Sequence, residues 1–137
     1  MNSNLPMVSV VIPVKRSQRT IRRTVDSLLA QDYPGDVEIL AVGDYQDPSW
    51  VPLLDLIKEQ RVTAIETEIV TRERDSNAKR NIGIGRAQGD VIALTDGDMV
   101  LPPDWISTAV ELINEGWDCV SGSIRSMDHG FWGGVHG

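Results

Sequence analysis

Val8-Ser9-Val10-Val11-Ile12-Pro13-Val14 decides how this chain folds. The run is β-branched and nearly unbroken, without the in-and-out alternation of a half-exposed strand. It therefore reads as a parallel strand covered on both faces. The neighbouring stretches fit that reading. Ser17 is placed to cap a helix running to about Gln31, with Ile21, Val25, Leu28 and Leu29 on one face, and Pro34-Gly35 stops it. Val37 to Val42 is a second apolar strand ending at Gly43-Asp44. After a polar loop from Tyr45 to Ser49, Leu53, Leu54 and Ile57 suit a short helix, and Val62 to Val70 a third strand. Asp75 or Ser76 begins a helix to about Gln88, closed by Gly89. Val91 to Thr95 is a fourth strand running straight into Asp96-Gly97-Asp98. Pro102-Pro103 opens a last helix with Ile106, Ala109, Val110 and Ile113 on one face. Gly116 ends it, and Trp117 to Ile124 reads as a fifth strand. Strands alternating with helices predict the α/β class, with a mostly parallel sheet and helices on both faces, as one domain over residues 1–137.

The chain has 137 residues, 41% hydrophobic and 24% charged, which are globular values. A chain of this size buries about two-thirds of its unfolded surface and needs no metal or disulfide to fold. Thirteen Lys and Arg against twenty Asp and Glu leave a net charge of −7. That balance excludes a nucleic-acid-backbone binder, which needs a basic face, but not a nucleotide site where a metal ion offsets local acids. The single cysteine, Cys119, forms no internal disulfide and reads as a small buried hydrophobe. No apolar run reaches the ~18 residues of a membrane span. Met7 to Val14 lacks a basic leader and a cleavage site, so a cytoplasmic location is expected, or one at the cytosolic face of a membrane. Residues 128–137 are glycine-rich with Phe131 and Trp132 among them, and read either as a frayed terminus or as a chain cut within a longer protein.

Ligands of open α/β sheets sit at the carboxyl ends of the strands. Three such ends carry distinctive residues here: Pro13-Val14-Lys15-Arg16, Gly43-Asp44, and Thr95-Asp96-Gly97-Asp98. Asp96 and Asp98 are hard oxygen ligands suited to Mg²⁺ or Mn²⁺, ions that share their shell with waters and substrate phosphates. Asp-Gly is also common turn chemistry, but its position at a strand end favours a site. Gly97 between the acids would let a phosphate or sugar approach the backbone. Arg80 suits a diphosphate, while Lys79 reads as part of a solvated helix face. Trp50, Trp105 and Trp117 read as packing, and His129 as a loop residue.

Together these segments resemble the family 2 glycosyltransferases of the GT-A fold. Val8 to Val14 looks like that family's opening strand. Thr24 to Gln31, then Tyr33-Pro34, looks like its first helix. Ala78-Lys79-Arg80-Asn81-Ile82-Gly83 with Gly89-Asp90 looks like the helix before its acidic motif, which Asp96-Gly97-Asp98 matches. Pro103-Asp104-Trp105 fits the segment just beyond that motif. The resemblance implies a Rossmann-like half that binds a nucleotide-diphosphate sugar, with an acceptor of unknown kind. Pro13 and Val14 would line the base pocket, Asp44 would sit near the base or ribose, and Arg80 would contact the diphosphate. Asp96 would face the ribose or sugar, and Asp98, with Asp96, would hold the metal. The family inverts at the anomeric carbon, so an acceptor hydroxyl would attack directly, helped by a carboxylate base. Three departures stand out. Gly43-Asp44-Tyr45-Gln46 has one acid where the family commonly has two and then Gly-Ser. Lys15-Arg16 stands where the family often has Tyr-Asn. The stretch after Asp98 offers only Asp118 and Asp128 as base candidates, by elimination. The chain therefore looks like a donor half without its acceptor half. The competing reading is a non-catalytic module of the same fold that binds a nucleotide or a partner protein. An exposed apolar face, left by the missing half, would promote association. A phosphorelay receiver fits less well, because it needs acids at the end of the first strand, where Lys15-Arg16 stands.

Overall fold

The computed structural model describes residues 5–67, 75–117, 121–124 and 132–136. In chain order the elements are β1 Val8–Pro13, α1 Ile21–Leu29, β2 Val37–Gly43, α2 Trp50–Leu56, β3 Val62–Glu66, α3 Asp75–Arg86, β4 Val91–Leu94, α4 Trp105–Asn114, β5 Ser121–Ile124 and β6 Trp132–His136. Four strands form one sheet in the order β3-β2-β1-β4, and every pairing in it is parallel. All six residues of β1 are buried. The opening run is thus the central strand, flanked by β2 in the register Val10 to Ile39 and by β4 in the register Val10 to Ala93.

The two faces of β1 enter different clusters. Val8, Val10 and Ile12 join Ile39 and Ala41 beneath Ile21, Val25 and Leu28 of α1, Leu53 and Leu56 of α2, and Ile106 and Val110 of α4. On the opposite face Val11 joins Leu40, Val42 and Ile65 beneath Ile82 of α3 and Ala87. Burying each such aliphatic side chain contributes about 1.5–3 kcal/mol, so this layering, more than helix propensity, fixes where the helices lie.

Ser9 is polar but fully buried. Its hydroxyl donates to Glu38 Oε2 and accepts from the Gly89 N–H at 2.8 Å, while the Gln88 N–H donates to the same Glu38 oxygen at 2.6 Å. The turn between α3 and β4 is therefore tied to both central strands. Met7 O accepts from the N–H groups of Asp90 and Val91, which sets the register of β4.

The structure differs from the sequence reading near the carboxyl end. Within the expected fifth strand, Trp117 to Ile124, the described residues hold β5, which pairs antiparallel with β6 in a separate two-stranded sheet. The glycine-rich tail contains that sixth strand, whose backbone pairs with β5. Asp118, Cys119, Asp128, His129 and Phe131 lie outside the described residues. Trp105 is buried and Trp50 packs on the core as expected, whereas Trp117 is exposed. The first helix starts at Ile21, later than Ser17, whose carbonyl instead accepts from the Thr20 and Ile21 N–H groups. Among the described residues no helix is long and apolar enough to cross a membrane.

Candidate functional site

The carboxyl ends of β1, β2 and β4 lie along one edge of the sheet, and the loops leaving β1 and β2 are bonded to each other. Val14 N–H donates to Val42 O at 2.9 Å. Arg16 N–H donates to both carboxylate oxygens of Asp47, at 2.9 and 3.1 Å, and Ser17 N–H donates to the buried hydroxyl of Ser49 at 2.6 Å. Arg16 itself has φ 52, a left-handed conformation that costs a residue with a Cβ roughly 1–2 kcal/mol. The clasp on its N–H holds it there.

Asp47 shows the electrostatic consequence. Burial alone would raise its carboxyl pKa. The Ser49 N–H and hydroxyl, the Arg16 N–H and the Lys79 charge outweigh that and hold it below the usual carboxylate range. A folded-state pKa below the unfolded one gives stability that is fully present above the unfolded value and lost as pH falls through the folded one. Asp47→Asn should therefore cost about 1–2 kcal/mol at neutral pH, and the gap to the parent should close as the solution is acidified through about pH 4 and below. Urea unfolding at several pH values measures this; a gap that stays constant would show that the charge is not what matters.

Lys79 corrects the sequence reading. It is only 2% exposed, so it is no solvated helix residue. Its Nζ donates to Val14 O at 2.9 Å. Position decides this: Lys79 stands three and four residues before Ile82 and Gly83, on the stripe of α3 that faces the sheet. The cation thus lies beneath the loop after β1. Pro13 and Val14 are themselves buried, and Val14 packs against Gly43, so a base resting there would meet backbone more than side chain. Asp44 is half-buried and accepts from the Gln46 N–H at 2.9 Å, forming the turn that leads into the Asp47 clasp.

The acidic motif lies one strand over. Thr20, Thr24 and Ser27 form a hydroxyl stripe along α1 and its approach, at i, i+4 and i+7. Thr20 Oγ1 donates to Gly97 O at 2.8 Å, Met99 N–H donates to Thr24 Oγ1 at 3.1 Å, and Leu101 N–H donates to Ser27 Oγ at 3.0 Å. The motif is thereby pinned to α1. That spacing was readable in the sequence but passes for ordinary helix polarity. Gly97 is buried, and a Cβ there would stand 2.9 Å from Ser17 Oγ, so glycine is needed for packing against the first loop.

Asp96 and Asp98 are both exposed. Arg80 Nη2 meets Asp96 Oδ1 at 3.1 Å, and Arg80 Nη1 donates to Asn77 Oδ1 at 3.0 Å. Among the described residues the Asp98 carboxylate has no hydrogen-bond or ion-pair partner. Arg80, Asp96, Asn77, Leu94, Thr95 and Met99 line a cavity of about 460 Å³. The structure thus brings Arg80 and Asp96 together, with Asp98 two residues on and Asp44 in a separate loop. The donor set fits a hard divalent cation. Among the described residues no group of three His, Cys, Asp or Glu forms a closed cage, so such an ion would depend on phosphate oxygens and water to complete its shell.

The family described as Glycosyl transferase family 2 matches residues 9–136. The chain belongs to that family. Succinoglycan biosynthesis protein ExoO of Rhizobium meliloti is 34% identical over 107 residues, which are 78% of this chain and 30% of that protein. The undecaprenyl-phosphate 4-deoxy-4-formamido-L-arabinose transferase of an Enterobacter species is 32% identical over 131 residues, 91% of this chain and 38% of that one. This family 2 domain therefore spans about a third of the length of those curated relatives. Among solved structures, a mannosyltransferase of Pyrobaculum calidifontis in complex with GDP-Man and Mn²⁺ superposes with a TM-score of 0.74 at 22% identity, covering 90% of this chain and 36% of that one. TarS 1-349 of S. aureus superposes with a TM-score of 0.69 at 22% identity, over 80% of this chain and 32% of that chain. The fold of this domain is that of the GT-A glycosyltransferases.

Proposed function

We propose that this chain is the donor-binding part of an inverting glycosyltransferase that takes a sugar from a nucleotide-diphosphate donor in the presence of Mg²⁺ or Mn²⁺. The observation that carries the reading is the end of β4, where Asp96 is engaged by Arg80 and the neighbouring Asp98 carboxylate is unpartnered among the described residues. Arg80 would move from Asp96 toward a diphosphate, since phosphate is the stronger bidentate acceptor for a guanidinium. Asp96 would then be free to accept from the ribose or sugar hydroxyls. Asp98, with Asp96, would hold the cation. The cation, when bound, neutralises charge on the diphosphate leaving group. Pro13 and Val14 would back the base through their main chain, with the loop they begin held by Lys79, and Asp44 would approach the base or ribose.

Support comes from the relatives' own chemistry. TarS 1-349 has been solved with UDP and with UDP-GlcNAc, and the Pyrobaculum mannosyltransferase with GDP-Man and Mn²⁺. One curated relative is named for transfer involving undecaprenyl phosphate. We place the reaction in the cytoplasm, at the cytosolic face of a membrane. Asp118 and Asp128, the base candidates left by elimination, lie outside the described residues. Calorimetry of the purified chain with UDP and GDP, each with Mn²⁺ and with chelator, tests the reading. Metal-dependent binding of either one is expected. No binding of either, in any condition, would overturn it and favour a module that binds a partner protein instead.

A further inference from the structure

A basic run of residues sits in this acidic chain. Five of the thirteen Lys and Arg fall between Lys15 and Arg23, and that stretch contains no Asp or Glu. Lys15, Arg16, Arg19, Arg22 and Arg23 are all exposed. Beside them lies α2, which packs on the same face of the sheet as α1. Arg22 Nη2 meets Asp55 Oδ2 of α2 at 2.8 Å, and Lys58 reaches the other oxygen of that carboxylate at 3.2 Å. This joins the basic turn of α1 to the outer side of α2. There Val51 is 73% exposed, Leu54 56% and Ile57 41%. Val51 and Leu54 stand three residues apart, with Lys58 on the same outer arc. Grouped apolar exposure of this kind marks interaction surfaces, and here it stands beside the cations Arg22 and Lys58.

We infer that this surface, residues 15–23 together with Val51, Leu54 and Ile57, docks on an anionic lipid bilayer. Cations meet headgroups and a few aliphatic side chains enter the boundary layer, which is the pairing shown here. The rest of the chain carries the opposite charge, so an anionic surface would repel the body and attract only this face, giving a single orientation. Two carboxylates lie within the patch, Asp55, covered by Arg22 and Lys58, and exposed Asp26, one turn beyond Arg22 and Arg23, so the cations outnumber them. The inference gives the membrane-face location proposed above a specific surface, and it does not depend on the donor site.

Sedimentation with vesicles tests it, using phosphatidylcholine alone and with about 30 mol% phosphatidylglycerol, a composition comparable to anionic leaflets. The chain should bind the anionic vesicles, and added salt should release it. Arg19→Gln with Arg23→Gln should lower partitioning about tenfold or more. Val51→Ser with Leu54→Ser should also lower it, and circular dichroism checks that each variant is folded. UDP and GDP binding by each variant should match the parent, which separates failure here from failure of the donor reading. No binding to anionic vesicles, equal binding to neutral ones, or retention by either double variant would overturn the inference. So would a soluble polyphosphate bound as tightly as the vesicles and undiminished in the Val51/Leu54 variant, which would mark a polyanion site.

Discussion

Asp98→Ala should abolish metal-dependent nucleotide binding while leaving the protein as stable as the parent. The carboxylate is exposed and, among the described residues, bonded to nothing, so its removal breaks no fold contact. Surface substitutions of this kind usually change stability by no more than about 0.5 kcal/mol. Loss of groups that merely orient a metal ligand already costs about 10–100-fold in affinity. At the proposed site, where among the described residues Asp96 and Asp98 would hold the ion, loss of one of them should cost about a hundredfold or more. Asp96→Ala should differ, because it also releases Arg80. The freed guanidinium should retain weak, metal-independent affinity for diphosphate, visible in the chelator arm of the titration. If Asp98→Ala binds UDP or GDP with Mn²⁺ as the parent does, the acid pair is only a turn.

The largest effect on stability should come from Gly89→Ala. A Cβ at this position would stand 2.5 Å from Ser9 Oγ, 2.7 Å from Ser9 N and 2.9 Å from Met7 O. Two of those atoms are main chain of the central strand and its approach, so they cannot swing aside. The methyl would push the α3–β4 turn off β1 and break the bond from the Gly89 N–H to Ser9, with Glu38 losing its alignment. Overpacking of this kind costs about 1–3 kcal/mol, and the backbone clash places it at the upper end. Thermal unfolding should move down by roughly 6–12 °C for a chain of this size. A variant that melts with the parent would mean that the turn can lift without disturbing β4.

The sheet was legible because β1, β2 and β4 are apolar on both faces and parallel strands need that. The acid pair stood out because two carboxylates follow directly on an apolar strand, although Asp-Gly is also turn chemistry. Lys79 was not, since a lysine in a polar helix suggests solvent, and only its offset from Ile82 and Gly83 betrays the sheet-facing side. The Asp47 clasp was hidden for another reason. It depends on two loops that are far apart in sequence, and Arg16 gives no local sign of a left-handed backbone. β6 escaped because glycines mask a strand whose support comes from its cross-strand partner.

The order β3-β2-β1-β4 has a consequence for how the chain is built during translation. β1, an inner strand, is the first of the four to leave the ribosome, and its partner on one side, β4, is the last. Until Leu94 is made, one edge of β1 has no neighbour and stands as an open template for pairing with other chains. The closing step must also bring together residues some eighty positions apart, and such long-range pairing is slow. Nascent chains stalled before β4 should therefore depend on chaperones, and truncations that end before Val91 should aggregate.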